Sequence, residues 1–435
     1  MASSATIETA TAGFLDAVLY EGEESRGLQG LTRATLLAPL STAFDLAEGR
    51  PAGHAQRVAY IGVALAEELG LSTAEVSETF FACLLHDAGM ARALGASHVR
   101  NRADDDLMPP TGGWGDVIRA LTVHCDQGDR IARRLGFGEN VATAVARHHD
   151  CWDGSGPSGQ NGNGQMPTVA RIVAAADRFE CIIDSEPSPL VVRKRGPSLV
   201  RDMSGSEVDP EVATRLARLA AKDSFWLGFY DRDMTIGLMS MGAGDALSTD
   251  GVLELLAAMS DIVDSRNSRE LGRGRRVSEL AVKVALACGL SERRAELVRA
   301  AALLQDIGTL AVPASVLSKP DILTLDEMMQ MQKHPAIARN IVGEIPGMGA
   351  VAWWVGCHHE RVDGKGYPGM LEGDSVPIEA QVIGIAEAYE ALTNNRPYRR
   401  ALARDDAAEV LRGLADTRFH ATVIRRLEEV VSTLA

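Results

Sequence analysis

The sequence predicts an all-α chain in which one helical domain occurs twice. Apolar residues recur at three- and four-residue spacing along most of its length, and the alternation of a half-buried strand is rare. Aromatic residues make up only 5%, which points the same way. The third observation is a series of matched segments displaced by 210 to 219 residues. A length of 435 residues accommodates this arrangement, since domains run to roughly 100–200 residues.

Composition narrows the function classes. Hydrophobic residues at 46% and charged residues at 24% describe an ordinary globular protein. A net charge of −15 would repel a phosphate backbone, so DNA is not expected as a partner. No apolar run approaches the ~18 residues of a membrane span, and Met1-Ala2-Ser3-Ser4 lacks the features of a secretory signal. The six cysteines form no CxxC pair and read as the reduced thiols of a cytoplasmic protein.

The elements of the first copy follow in order. Val58, Ile61, Leu65 and Leu69 form one face of a helix that starts at His54 and stops near Gly70. Ser72 and Glu75 read as a capping box opening a second helix, which carries Phe80, Phe81, Leu84 and Leu85 and ends at His86-Asp87-Ala88-Gly89. A third helix runs from Trp114 to Arg134, a fourth carries Val141, Val145 and His148, and a fifth follows Pro167. The glycine-rich stretch 153–165 cannot be a regular element and reads as a loop beside His148 and His149.

The second half repeats this order. LLHDAGM is answered by LLQDIGT, RHHDCWDGSG by CHHERVDGKG, and RIVAAADRFE by QVIGIAEAYE. The inferred organisation is an N-terminal segment 1–29, a first copy 30–222, a connector 223–261 rich in aromatic residues, and a second copy 262–435.

Eight of the ten histidines occupy positions matched by the duplication. In the first copy His54, His86, His124, His148 and His149, with Asp87 and Asp177, lie on or beside apolar helix faces. Polar groups gathered at one core need compensation, and a divalent metal supplies it. Histidine and carboxylate donors without thiolates suit Fe, Mn or Zn. Seven donors are too many for one metal with an open position. Two metals sharing Asp87 fit better and suit hydrolysis of a phosphate ester or anhydride.

These motifs resemble the HD superfamily of metal-dependent phosphohydrolases, and more narrowly its HD-GYP branch. HHERVDGKGYPG at 358–369, VPASVLSKPDILTLDE at 312–327 and NNRPYRRAL at 394–402 carry the branch resemblance. It implies two tandem HD-type domains, two divalent metal ions (Fe or Mn), and hydrolysis of a cyclic dinucleotide of the cyclic di-GMP type. It also implies that His54, His86, Asp87 and Asp177 hold the first metal, and Asp87, His124, His148 and His149 the second. His86 and Asp87 are the residues expected at the heart of catalysis. Arg50 stands where some members have a glutamate supporting a third metal, so two metals are expected.

The second copy departs from the pattern, with Arg273, Gln305 and Glu387 in place of the leading His, the HD His and the late Asp. It reads as structural, regulatory or ligand-binding. Gly366-Tyr367-Pro368 stands in this copy, whereas the first has Gly156-Pro157-Ser158. Met90 and Thr309 occupy the position of the family's phosphate-binding lysine. Arg171 and Arg178 are the candidate substrate-binding replacements, with Arg193-Lys194-Arg195 nearby and Arg396, Arg399 and Arg400 in the second copy. Asp153 reads as a loop cap rather than a proton donor. The leading expectation is a cytoplasmic, metal-dependent phosphodiesterase working through the first copy, with a nucleotide as its partner, no membrane, and a homodimer left open. The alternatives are hydrolysis of another nucleotide and a non-catalytic nucleotide- or protein-binding module.

Overall fold

Among the described residues of the computed structural model every regular element is a helix, and the only β pairing is three isolated bridges. The described residues are 26–89, 114–157, 165–186, 188–231, 233–241, 244–266, 271–319, 321–395 and 400–433. No helix among them is long and apolar enough to cross a membrane.

The chain divides into one unit of residues 32–245 and another running from Ala246 onward, to which residues 26–31 also belong. Helices of the first unit are α1 (Arg33–Glu48), α2 (His54–Glu68), α3 (Thr73–Leu85), α4 (Trp114–Arg134), α5 (Glu139–Arg147) and α6 (Thr168–Ser185). They are followed by α7 (Pro189–Asp202), α8 (Pro210–Ala220), α9 (Asp223–Phe229) and α10 (Met234–Met241). The second unit contains α11 (Thr249–Asp264), α12 (Arg273–Ala287), α13 (Glu292–Leu304), a 3-10 turn (Ile307–Ala311), α14 (Ala314–Leu317) and α15 (Leu325–Met331). It is completed by α16 (His334–Gly343), α17 (Gly349–Cys357), α18 (Ile378–Thr393), α19 (Arg404–Arg412) and α20 (Ala421–Thr433).

The boundary cuts the segment 223–261 that the sequence assigns to a connector. Its first part belongs to the first unit, because Phe225, Trp226 and Phe229 are buried there. Trp226 Nε1 donates to the Ala220 carbonyl at 2.8 Å, and the Tyr60 hydroxyl donates to that of Phe225 at 2.9 Å. Its second part is α11, whose Asp264 accepts from the Gly274 N–H at 3.0 Å and so fixes the start of α12. The other end of the chain shows the same kind of difference. Leu28 and Leu31 are buried, and the Leu247 N–H donates to the Leu31 carbonyl at 2.8 Å.

In the first unit α2 packs against α3 and α6. Val58, Ile61 and Leu65 are fully buried, each contributing about 1.5–3 kcal/mol. Gly70 takes φ +73°, the left-handed conformation that ends a helix at low cost. The Ser72–Glu75 capping box then opens α3 as the sequence predicts: Ser72 Oγ accepts from the Glu75 N–H and Glu75 Oε2 from the Ser72 N–H.

The turn that ends α3 carries His86 and Asp87, and Gly89 sets its closeness to α4. A Cβ on Gly89 would lie 2.0 Å from the carbonyl oxygen of His124, so only glycine admits this contact. Gly308 repeats it in the second unit, 2.1 Å from the carbonyl oxygen of His334. Gly89→Ala is therefore expected to destabilise the first unit by about 3 kcal/mol, the upper end of ordinary overpacking costs. Gly237→Ala, where a Cβ meets nothing within 4 Å, is expected to leave stability nearly unchanged. Calorimetric melting of the two variants checks both.

Candidate metal centre

Five helices of the first unit converge on one buried cluster. His54 opens α2, His86 and Asp87 follow α3, His124 lies within α4, His148 and His149 follow α5, and Asp177 lies within α6. His54, His86, His124 and His148 have no exposed surface, and Asp87 retains only 3%. All seven sequence-predicted metal residues are thus brought together, in two sets whose donor atoms lie within 4.8 Å of one another. One set is His54, His86 and Asp177. The other is Asp87, His124, His148 and His149.

Asp87 stands between the sets. Its Oδ2 lies 3.0 Å from His86 Nε2 and 3.6 Å from His54 Nε2, while its Oδ1 lies 3.6 Å from His124 Nε2 and 3.8 Å from His148 Nε2. Asp177 Oδ1 closes the first set, 3.5 Å from His54 Nε2 and 3.7 Å from His86 Nε2. Donor atoms on a tetrahedron with bonds of about 2.1 Å are separated by roughly 3.4 Å. The imidazoles are aimed from behind: His86 Nδ1 and His148 Nδ1 each donate at 2.7 Å, to the carbonyls of Cys83 and Val145. His54 Nδ1 donates to Glu180 at 2.5 Å, and Arg57 holds the other oxygen of that carboxylate at 2.6 Å. These bonds leave each Nε2 pointing into the cluster, where a bound cation would displace any proton it carries. His54 Nε2, His86 Nε2 and Asp87 Oδ2 are buried and have no hydrogen-bond partner. Buried polar atoms are otherwise nearly always paired, so the residues present fit a divalent cation.

The electrostatics separate the two sets. Burial disfavours a charged His86, but Asp87 and Asp177 outweigh it and raise its pKa to about 10. His54 rises well above the imidazole range: burial again opposes, while Asp177, Asp87 and Glu180 prevail. In the other set burial, then the neighbouring His148, lowers His124 to about 3. Burial and its neighbours likewise lower His148 and His149. Positive charge is thus favoured beside Asp177 and neutral imidazole around His124, the form that ligates metal.

The two candidate substrate-binding arginines have partners within the chain. Arg178 is committed to the backbone: Nη1 donates to the carbonyls of His148 and Ala174, and Nη2 to those of His149 and Asp150. It clamps the turn that carries the paired histidines. Arg171 pairs with Asp209 at 2.5 Å and donates to Thr168 Oγ1. Arg193 and Arg195 pair with Asp223 and Glu186. Asp153 Oδ1 accepts from the Ser155 N–H and hydroxyl, the loop-capping role the sequence predicts. Arg400 is exposed. Met90, Ser158, Arg396 and Arg399 lie outside the described residues.

Sequence reasoning misses Glu48, Glu180 and Cys181, and reads Arg50 only as the absence of a third-metal glutamate. Burial, then the charge of Asp87, holds the Glu48 carboxyl well above the carboxylate range. Arg50 lies 3.7 Å from Glu48, donates to Cys181 Sγ, and feels the charges of Asp87 and Asp177. Cys181 Sγ donates to Asp177 Oδ1 at 3.4 Å. A legible signal existed for Glu180, which repeats as Glu390 in the second copy. Glu48 and Arg50 follow from where α1 ends.

An HD domain family model matches residues 52–181, and a second HD domain model matches residues 257–423. The chain belongs to the HD superfamily. HD phosphohydrolases are metal-dependent hydrolases, and this tandem HD chain is one of them. It is 28% identical over 417 residues to the 3'3'-cGAMP-specific phosphodiesterase 3 of Vibrio cholerae, covering 86% of this chain and 89% of that protein. A 35% identity over 165 residues relates 36% of this chain to 42% of a cyclic di-GMP phosphodiesterase response regulator of Xanthomonas campestris. The crystal structure of the V. cholerae cyclic GMP-AMP phosphodiesterase V-cGAP3 superposes with a TM-score of 0.66 at 25% identity, covering 92% of this chain and 98% of that one.

Two substitutions test the supports of this HD site. Glu180→Ala frees the His54 ring and is expected to weaken metal affinity about 10–100-fold, measured by competition with a chelator. Arg178→Ala is expected to lower the melting temperature and metal content together, whereas loss of a substrate contact would raise KM alone.

Proposed function

We propose that the first unit hydrolyses a phosphodiester bond of a cyclic dinucleotide, using divalent cations held by His54, His86, Asp87 and Asp177 on one side and by Asp87, His124, His148 and His149 on the other. The single observation that carries this reading is Asp87, whose two oxygens face separate histidine sets. The names of the related phosphodiesterases support the substrate class. Iron or manganese suits the mixed imidazole and carboxylate donors.

When bound, such cations would polarise a phosphodiester and acidify an attacking water. The chain supplies the rest. Backbone carbonyls of Cys83 and Val145 and the carboxylate of Glu180 hold the imidazoles in one tautomer, so no reorganisation is needed when charge develops. Burial, then the charge of nearby Asp87, holds the Glu48 carboxyl well above the carboxylate range at the edge of the site. Arg50, next to Glu48, is the cation suited to a phosphate oxygen in place of the family's lysine.

The test is to incubate the iron- or manganese-reconstituted protein with 3'3'-cGAMP and with cyclic di-GMP and separate the products by chromatography. Wild type is expected to release linear dinucleotide or mononucleotides. His86→Ala and Asp87→Ala are each expected to lose about 10²–10³-fold or more in turnover, several kcal/mol of charge stabilisation. Turnover unchanged in both variants overturns the assignment to this unit. Arg50→Ala is expected to raise KM about 10-fold or more, the worth of one charged hydrogen bond.

A further inference from the structure

The second unit keeps half of the same cluster. His334, His358 and His359 bring their donor nitrogens within 4.8 Å of one another. His334 Nε2 lies 3.3 Å from His358 Nε2, against 3.4 Å for His124 and His148 in the first unit. His334 Nε2 is 3.6 Å from Asp306 Oδ1, as His124 Nε2 is from Asp87 Oδ1. Ring centres of His358 and His359 are 4.1 Å apart, against 3.9 Å for His148 and His149. Both Nδ1 atoms are anchored behind, His334 on the Met331 carbonyl at 2.8 Å and His358 on that of Val355 at 2.6 Å. Three imidazoles are therefore aimed at one point as those of the first unit are.

The other half is replaced by a fixed cation. Arg273 stands at the start of α12, where α2 has His54, and its guanidinium is 90% shielded. It pairs with Asp306 Oδ2 and, at 2.5 Å, with Glu387 Oε1; Glu390 lies 3.7 Å from its Nε. Glu390 is itself held by Arg276 at 2.7 Å, as Glu180 is by Arg57. A guanidinium thus neutralises the carboxylates that the first metal position would use. It leaves Asp306 Oδ1 beside His334, 3.6 Å from its Nε2. Asp306 and Glu387 together carry two negative charges against the one on Arg273, so one unit of negative charge remains beside three imidazoles. Gln305, 1% exposed at the position of His86, has no hydrogen-bond partner on either Oε1 or Nε2. Such a buried amide calls for a bound group within reach.

We propose that His334, His358, His359 and Asp306 hold a single divalent transition-metal cation in the second unit, with Arg273 as a built-in substitute for a second one. This site is independent of the hydrolytic reading of the first unit and survives if that reading fails. Imidazole with one carboxylate suits Zn, Fe or Mn, while the fixed guanidinium prevents a dimetal centre.

Metal per chain, measured by elemental analysis of the full-length protein after reconstitution and removal of excess ion, tests the proposal. His86→Ala, Asp87→Ala and His148→Ala combined empty the first unit and are expected to leave one metal per chain. Adding His334→Ala and His358→Ala is expected to remove it. In an otherwise intact chain, His334→Asn with His358→Asn is expected to lower the total by one without changing hydrolysis of the dinucleotide by more than about twofold. Arg273→His with Gln305→His is expected to raise the total by one, because it restores the missing donors. A wild-type total unaffected by the asparagine pair, or a first-unit triple variant that is folded by circular dichroism and metal-free, overturns the proposal.

Discussion

The Asp87 carboxylate is the constraint on which the first unit is organised. It is almost wholly buried, and four imidazole nitrogens lie within 3.8 Å of its two oxygens. A carboxylate in that position is costly unless positive charge meets it from more than one direction. The helices meet that requirement by converging. The α3 turn supplies the carboxylate itself, and α2, α4 and the end of α5 bring imidazoles to it. Gly89 lets the turn lie against the α4 backbone closely enough for His124 to reach it.

A second layer of bonds holds this arrangement. Imidazoles alone could rotate or change tautomer, but carbonyls at the ends of α3 and α5 fix His86 and His148 by bonds between residues three apart. Glu180 fixes His54 across 126 residues of chain and is in turn held by Arg57. Arg178 gathers the carbonyls of the turn after α5, which places the paired histidines. His86 and His148 are thus oriented at helix ends, where unpaired carbonyls are available to hold side chains.

Duplication shows what can change when one cation is made part of the chain. Arg276 and Glu390 keep the roles of Arg57 and Glu180, and Asp264 keeps that of Asp45 in binding the start of the following helix. Arg273 then occupies the place of His54 and satisfies the carboxylates directly. A guanidinium is permanently charged and brings its own donors, so it secures the helices without any bound ion. One unit can serve chemistry while its copy has half of that machinery committed to structure.

Much of this was legible in the residues themselves. The helical period, the capping box at Ser72, the stop at Gly70 and the repeat offsets are local or chain-wide patterns that do not depend on folding, and they carry the fold class and the seven-residue cluster. Side-chain partners across the chain are different, because a charged group pairs with whatever the fold brings near. Arg171 and Arg178 read as phosphate ligands from their place near Asp177, yet packing gives them to Asp209 and to backbone carbonyls. Glu48 carries no motif and reaches the centre only because α1 ends beside it. The connector, too, is divided by burial of Phe225 and Trp226 in the first unit, not by composition. Sequence determined which groups need compensation, and only the tertiary structure decided which neighbours supply it, since electrostatic pairing acts through space and not along the chain.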